Sequence, residues 1–284
     1  MKKILLPIFF FLSFSLYVFA IEQEETFTDL ISGEGMLDPS LLESLVSQGD
    51  IRAINNVGLL WAKGYDGNQS FEEAFKWWKK AADQGYTVSM NNIGLLFANG
   101  NGFEKDPAKA FDWWFQSAFL GDAWAMNSVG DCYERGFGVA INYEHAYTWY
   151  SSAAQQGEPL SMFNLGNLYL QGKGVEADRK EAFNWFEKSA FNGNPSGMLA
   201  LALEYYSSPV IKTNLVESYA LIILVESKKD YLDEKELISF LTLQDKISQN
   251  INSQQIENAK KRSEQIIKII TQKKEAKEKT KTQI

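Results

Sequence analysis

A chain of 284 residues, 45% of them hydrophobic, is long enough to bury a sizeable core, and its formal charge of −8 argues against nucleic acid as a partner. The only histidine, His145, excludes a multi-histidine metal site, and the only cysteine, Cys132, excludes an intramolecular disulfide.

The first segment, residues 1–20, opens with Lys2 and Lys3, continues as an apolar run broken by Pro7, Ser13 and Ser15, and ends with Val18 and Ala20 at cleavage-compatible positions. This is the pattern of a secretory leader, and the run is shorter than the roughly 20 residues a spanning helix needs. Cleavage near Ala20 is therefore expected, with a periplasmic or secreted destination and no stable membrane insertion afterwards. No cysteine follows the cleavage point to carry a lipid. Loss of Lys2 and Lys3 leaves 26 basic against 36 acidic side chains, a formal charge of −10. Residues 21–36 read as an N-terminal linker.

From about residue 53 the chain repeats itself every 36 residues. Gly58, Gly94, Gly130 and Gly166 form one column; Ala74, Ala110, Ala146 and Ala182 another; Trp77, Trp113, Trp149 and Trp185 a third. Trp78, Trp114, Tyr150 and Phe186 give a second aromatic column, Gly64, Gly100, Gly136 and Gly172 close one half of each unit, and Gly85, Gly121, Gly157 and Gly193 close the other. Each unit reads as two helices joined by a glycine loop, with start signals such as Asp106-Pro107 and a capping box of Ser70 with Glu73. Glycine inside a helix costs about 1 kcal/mol against alanine, so the Gly58 column predicts close helix approach, matched by the small Ala74 column. At about 100° per residue the Trp77 column falls on the apolar arc, which predicts core packing.

Written as Ala125-Met-Asn-Ser-Val-Gly130-Asp-Cys-Tyr133, Gly136-Phe-Gly138-Val139 and Ala146-Tyr-Thr-Trp149-Tyr150-Ser-Ser-Ala153-Ala154-Gln-Gln-Gly157, these columns resemble the Sel1-like repeat, a relative of the tetratricopeptide repeat. The resemblance covers residues 37–227, with Leu41 to Gly49 as an orphan second helix and Gly197 to Ser227 as a degenerate fifth unit carrying Ala202 in the Gly58 column. It implies an all-α fold, a right-handed α/α superhelix or solenoid, acting as an adaptor for other proteins. Exported bacterial members are often linked to host-cell interaction or envelope processes. One cysteine-rich exported branch has been associated with β-lactam binding, but its disulfide logic does not extend to a chain in which Cys132 stands alone.

Residues 228–284 read as C-terminal helices and a basic tail. Ile238, Leu241, Ile247, Ile256, Ile266, Ile267 and Ile270 are the expected seam, and residues 255–284 hold nine Lys/Arg against four Glu. A solvated tail is the simplest reading, with a docking patch for an anionic surface as the alternative.

The same angular count turns positions 55, 56, 59 and 63 and their equivalents away from the packed arc of each first helix. The candidate binding residues there are Asn55, Asn56, Lys63, Asn91, Asn92, Asn99, Asn127, Asp131, Arg135, Asn164, Asn167 and Gln171, with Ser128 beside them. Asparagine is a poor helix former whose amide both donates and accepts, so such a ladder suits a peptide backbone; equally, the Asn56, Asn92 and Asn164 column suits hydrogen bonds between neighbouring helices. Trp124, outside the columns, reads first as packing between units and second as a surface anchor, and His145 is read as a surface side chain. No catalytic residue is singled out: Asp131 and Glu134 are an ordinary helical pair, the glycine loops lack a following lysine, and Thr271-x-x-Lys274 in the tail is the nearest approach to an acyl-enzyme motif. No cofactor or metal is expected. The reading is a non-enzymatic scaffold binding a protein or peptide on its concave face, the alternative being an enzyme-like envelope protein acting on β-lactam or cell-wall compounds.

Overall fold

Helix boundaries recur along this chain because the same cap chemistry recurs. The computed structural model describes residues 39–64 and 67–282, and every regular element within them is helical. The leader, residues 1–20, and the linker, residues 21–36, lie outside the described residues. After α1 (Pro39–Ser47), helices come in pairs: α2 (Ile51–Lys63) with α3 (Phe71–Ala82), α4 (Thr87–Asn99) with α5 (Pro107–Phe119), and α6 (Ala123–Arg135) with α7 (Tyr143–Gln155). There follow α8 (Pro159–Gln171) with α9 (Arg179–Ala190), α10 (Pro195–Ser207) with α11 (Leu215–Glu226), then α12 (Glu234–Ser248) and α13 (Ser253–Thr282). Consecutive helices pack in series, the arrangement of an α/α solenoid.

Each second helix starts on an oxygen-bearing side chain. Ser70, Asp106, Asn142, Asp178 and Asn214 accept hydrogen bonds from first-turn N–H groups, satisfying donors that a helix leaves orphaned. The expected capping box at Ser70 is only half made: Ser70 accepts from the Glu73 amide at 3.2 Å, while the Glu73 carboxylate pairs with Lys76 at 2.6 Å. A full box occurs instead at Asp233 and Glu236, at the start of α12. First helices α2, α4, α6 and α8 stop on Gly64, Gly100, Gly136 and Gly172, all with φ between 67° and 76°, a conformation that penalises any side chain.

The Gly58 column makes room for a ring, and at Gly166 the Ala182 carbonyl of the Ala74 column lies close as well, 3.2 Å from where a Cβ would stand. A Cβ placed on Gly58, Gly94, Gly130 or Gly166 would lie 2.3–2.6 Å from Trp78, Trp114, Tyr150 or Phe186 respectively. This second aromatic column is therefore the buried one, and Trp77, Trp113, Trp149 and Trp185 are only half-buried, against the expectation that they fill the core. Lys80 and Lys188 lie over Trp77 and Trp185, 5.5 and 3.7 Å from the ring centroids.

In the fifth unit Ile222 takes the ring position, and Ser218, in the Ala74 column, donates to the Ala202 carbonyl at 2.7 Å. Helix α13 lies along α11, tied by Arg262 to Glu217 at 2.9 and 3.0 Å, and Ile270 reaches the Gly193 loop. Of the expected seam, Ile247 and Ile266 are buried and Ile256 and Ile270 partly so, whereas Ile238, Leu241 and Ile267 are exposed; Phe240, Leu243 and Ala259 fill the places they were expected to take. The basic tail continues α13 as helix to Thr282, with residues 271–276 exposed. No described helix is long and apolar enough to cross a membrane.

Candidate binding face

The first helices carry both the glue between units and a surface. Asn55 is buried, and its side-chain Oδ1 accepts from Ser89 Oγ at 2.8 Å and from Asn92 Nδ2 at 3.4 Å in the following unit. Asn127 repeats the arrangement two helix pairs further on, accepting from Ser161 Oγ at 2.9 Å and Asn164 Nδ2 at 3.0 Å. Between them the ladder is broken. Ala125 stands where Ser89 and Ser161 stand, and Ser128 turns to the Trp124 carbonyl at 3.1 Å, so Asn91 Oδ1 is buried with no hydrogen-bond partner while its Nδ2 donates to Asp122 at 3.2 Å. Beyond Asn127 the column continues with Phe163 and the ladder ends.

These contacts correct the sequence reading for four residues. Asn55, Asn91, Asn92 and Asn127 are buried between units and offer no amide to a partner. An angular count over one helix places them outward, but a helix in a stack is covered on its flank by the next unit as well as on its face by its pair. Asn56 and Asn164 are half-buried, and Asn164 is already engaged by Asn127.

What remains open is a row at fixed register. Lys63, Asn99, Arg135 and Gln171 are exposed, and beside them run the partly exposed Leu59, Leu95, Asp131, Asn167 and Leu203. The leucines of this second column escaped the sequence reading, which looked for polar side chains; their recurrence at the 36-residue period was the available signal. Asp131 and Arg135 form an ion pair at 2.6 Å near the middle of the row. Next to it the Tyr150 hydroxyl donates to Glu134 at 3.0 Å, and burial first, then the Asp131 and Glu134 carboxylates, push its pKa well above the usual tyrosine value.

Trp124 packs edge-on against Trp114 with ring centroids 6.2 Å apart, half-buried between units rather than standing as a surface anchor. His145 is exposed with its ring 4.9 Å from Tyr133. Cys132 is buried, and desolvation drives its thiol pKa far above the ordinary range, which makes it a poor nucleophile. Among the described residues no group of three His, Cys, Asp or Glu could hold a metal ion.

The model of the Sel1 repeat matches residues 51–86, 87–122, 125–158 and 159–194. The chain belongs to the Sel1-repeat family. Such repeats are generally protein-interaction scaffolds. Among solved structures, the chain is similar to a Sel1 repeat protein from Oxalobacter formigenes, at 25% identity over 75% of this chain and 84% of that one, with a TM-score of 0.59. It is also similar to a protective antigen present in uropathogenic Escherichia coli strains and displaying an SLR fold, at 25% identity, TM-score 0.64, covering 90% of this chain and 64% of that one. No functionally curated protein matches the chain.

Proposed function

We propose that this Sel1-repeat chain is an exported, non-catalytic scaffold of the bacterial envelope, periplasmic or secreted, that holds a protein or peptide partner along the face formed by its first helices. One observation carries the reading: side chains at the same register on successive first helices, from Leu59 and Lys63 to Gln171 and Leu203, stay partly or fully exposed while the residues flanking them are consumed between units. A stack of helix pairs presents such a row as one extended surface. The leader-like residues 1–20 support export, and the similarity to a protective antigen supports a place at the interface with a host.

The test uses two exposed positions of this row, Asn99 and Gln171. Mature protein and an Asn99→Glu/Gln171→Glu variant, shown by circular dichroism to keep the same helicity, are used to capture partners from envelope and host-cell extracts. A protein retained by the parent and lost by the variant is the expected result; identical capture by both removes the face from the binding reaction. Terminal sequencing of the protein recovered from fractionated cells tests export, which predicts a start just after Ala20.

A further inference from the structure

The loops that join one unit to the next, marked by Gly85, Gly121, Gly157 and Gly193, fall on one edge of the stack, because the units pack in series and the loops recur at one register. The two residues before the glycine are Asp83-Gln84 in the first unit and Gln155-Gln156 in the third. In the fourth they are Phe191-Asn192, with Phe191 partly buried against the core shared with the fifth unit. The second unit places Phe119 and Leu120 there, 80% and 54% exposed.

The C-terminal helix leaves the body at the same edge. Arg262 pairs with Glu217 in the first turn of α11, and Ile270 lies 3.4 Å from where a Cβ on Gly193 would stand. Helix α13 therefore follows the second helices from their starts toward the loops at their ends, and beyond Ile270 it runs on to Thr282, about 18 Å further. Residues 271–276 are exposed, and residues 271–282 hold five lysines against two glutamates in a chain whose formal charge is −8. The carboxylates along the edge are engaged: Asp83 with Lys79, Asp50 with the Ala53 amide, Asp122 with the Ala125 amide and Asn91, and Glu158 with the Leu160 amide.

An apolar tip and a lysine-rich helix on one edge match the two needs of a bilayer interface. Apolar side chains enter the headgroup boundary, and ammonium groups meet lipid phosphates. An acidic protein would satisfy the lysines, but it gives no reason for Phe119 where other units carry Asp83 and Gln155. A helical end of this length with exposed side chains is marginal in water, so it can fold back along the lipid and let Phe119 reach it.

We propose that the protein docks by this loop edge on an anionic phospholipid surface, with Phe119 and Leu120 in the headgroup layer and the lysines of residues 271–282 against phosphates. Lys63, Asn99, Arg135 and Gln171 end the first helices, at the far end from the loops that precede them, so this attachment turns the row away from the lipid. It does not depend on what the row binds.

Flotation of mature protein with vesicles tests it. The vesicles are phosphatidylcholine alone, or phosphatidylcholine with about half phosphatidylglycerol. The variants are Lys273→Glu/Lys274→Glu and Phe119→Ser/Leu120→Ser, all at exposed positions, checked by circular dichroism for unchanged helicity, with Phe119→Ser alone as the replacement should the pair lose it. The parent is expected to float with the anionic vesicles only, and its partition to fall at least about tenfold between about 0.05 and 0.5 M salt; each double variant is expected to bind at least about tenfold more weakly. Weakening by the lysine variant alone overturns the bilayer and leaves a basic tail for an acidic protein. Weakening by the Phe119 variant alone overturns the role of the tail. Equal flotation with phosphatidylcholine, binding that neither variant weakens, or failure of the parent to float overturns the attachment altogether.

Discussion

Gly94 and Trp114 are two halves of one contact: a Cβ on Gly94 would lie 2.3 Å from the Trp114 indole nitrogen, which itself donates to the Asn91 carbonyl at 3.3 Å. Gly94→Ala therefore has to displace a buried ring and its hydrogen bond, so the better helix propensity of alanine is outweighed and the variant is expected to lose about 2–3 kcal/mol. Chemical denaturation followed by circular dichroism reads the loss. Trp114→Leu, added to Gly94→Ala, is expected to restore part of it, and a double variant no better than Gly94→Ala would show that the ring is not what the glycine accommodates.

Asn91 offers the opposite opportunity. Its buried Oδ1 lacks a donor because Ala125 occupies the site where Ser89 and Ser161 serve Asn55 and Asn127. Ala125→Ser is expected to stabilise the protein by about 1 kcal/mol, the typical net value of a hydrogen bond that satisfies a buried group. Amide exchange in α4 and α6 should slow correspondingly, and unchanged or faster exchange would refute the missing-donor account.

The ion pair between α9 and α10 is asymmetric in burial. Arg179 meets both carboxylate oxygens of Glu204, at 2.8 and 3.0 Å, while Glu204 is 4% exposed. Arg179→Ala strands a buried charge and is expected to cost about 2–3 kcal/mol, whereas Arg179→Met with Glu204→Leu is expected to recover most of it. Denaturant midpoints of the three proteins decide the point.

Glu236 gives a pH signature. Burial raises its pKa above 4.5, partly offset by hydrogen bonds from Ser196 and from the Asp233 amide. A carboxyl whose folded pKa lies above its unfolded one favours the fold while protonated, and that stability is lost as pH rises through the folded value. Glu236→Gln keeps an acceptor for the Asp233 amide and cannot ionise. Its melting temperature is therefore expected to exceed that of the parent at neutral pH and to converge with it near pH 4; a constant difference across that range would rule the mechanism out.

The periodic columns made unit boundaries, caps and stops readable in advance, since each is decided by one residue type at one place: Asp106 before Pro107, or Gly64 at positive φ. The candidate face was read less well for two physical reasons. Trp77 and Trp78 lie side by side on α3, and which ring goes inside depends on Gly58 in another helix, which a single helix's apolar arc does not register. Asn55 and Asn127 look like surface amides until the next unit covers them with Ser89 and Ser161. In α12 and α13 apolar residues lie on more than one side, so Ile238, exposed at 60%, and the buried Ile247 cannot be told apart by pattern alone.

The Gly58–Trp78 contact joins residues of one unit, whereas the Asn55–Ser89 and Asn55–Asn92 contacts cross from the first unit to the second, as those of Asn127 cross from the third to the fourth. Each of the four clear units therefore brings its own internal lock, whereas the docking edge differs from seam to seam. Recombination that adds or removes whole units leaves the locks intact, so the length of the array can change without redesign of the core inside each unit.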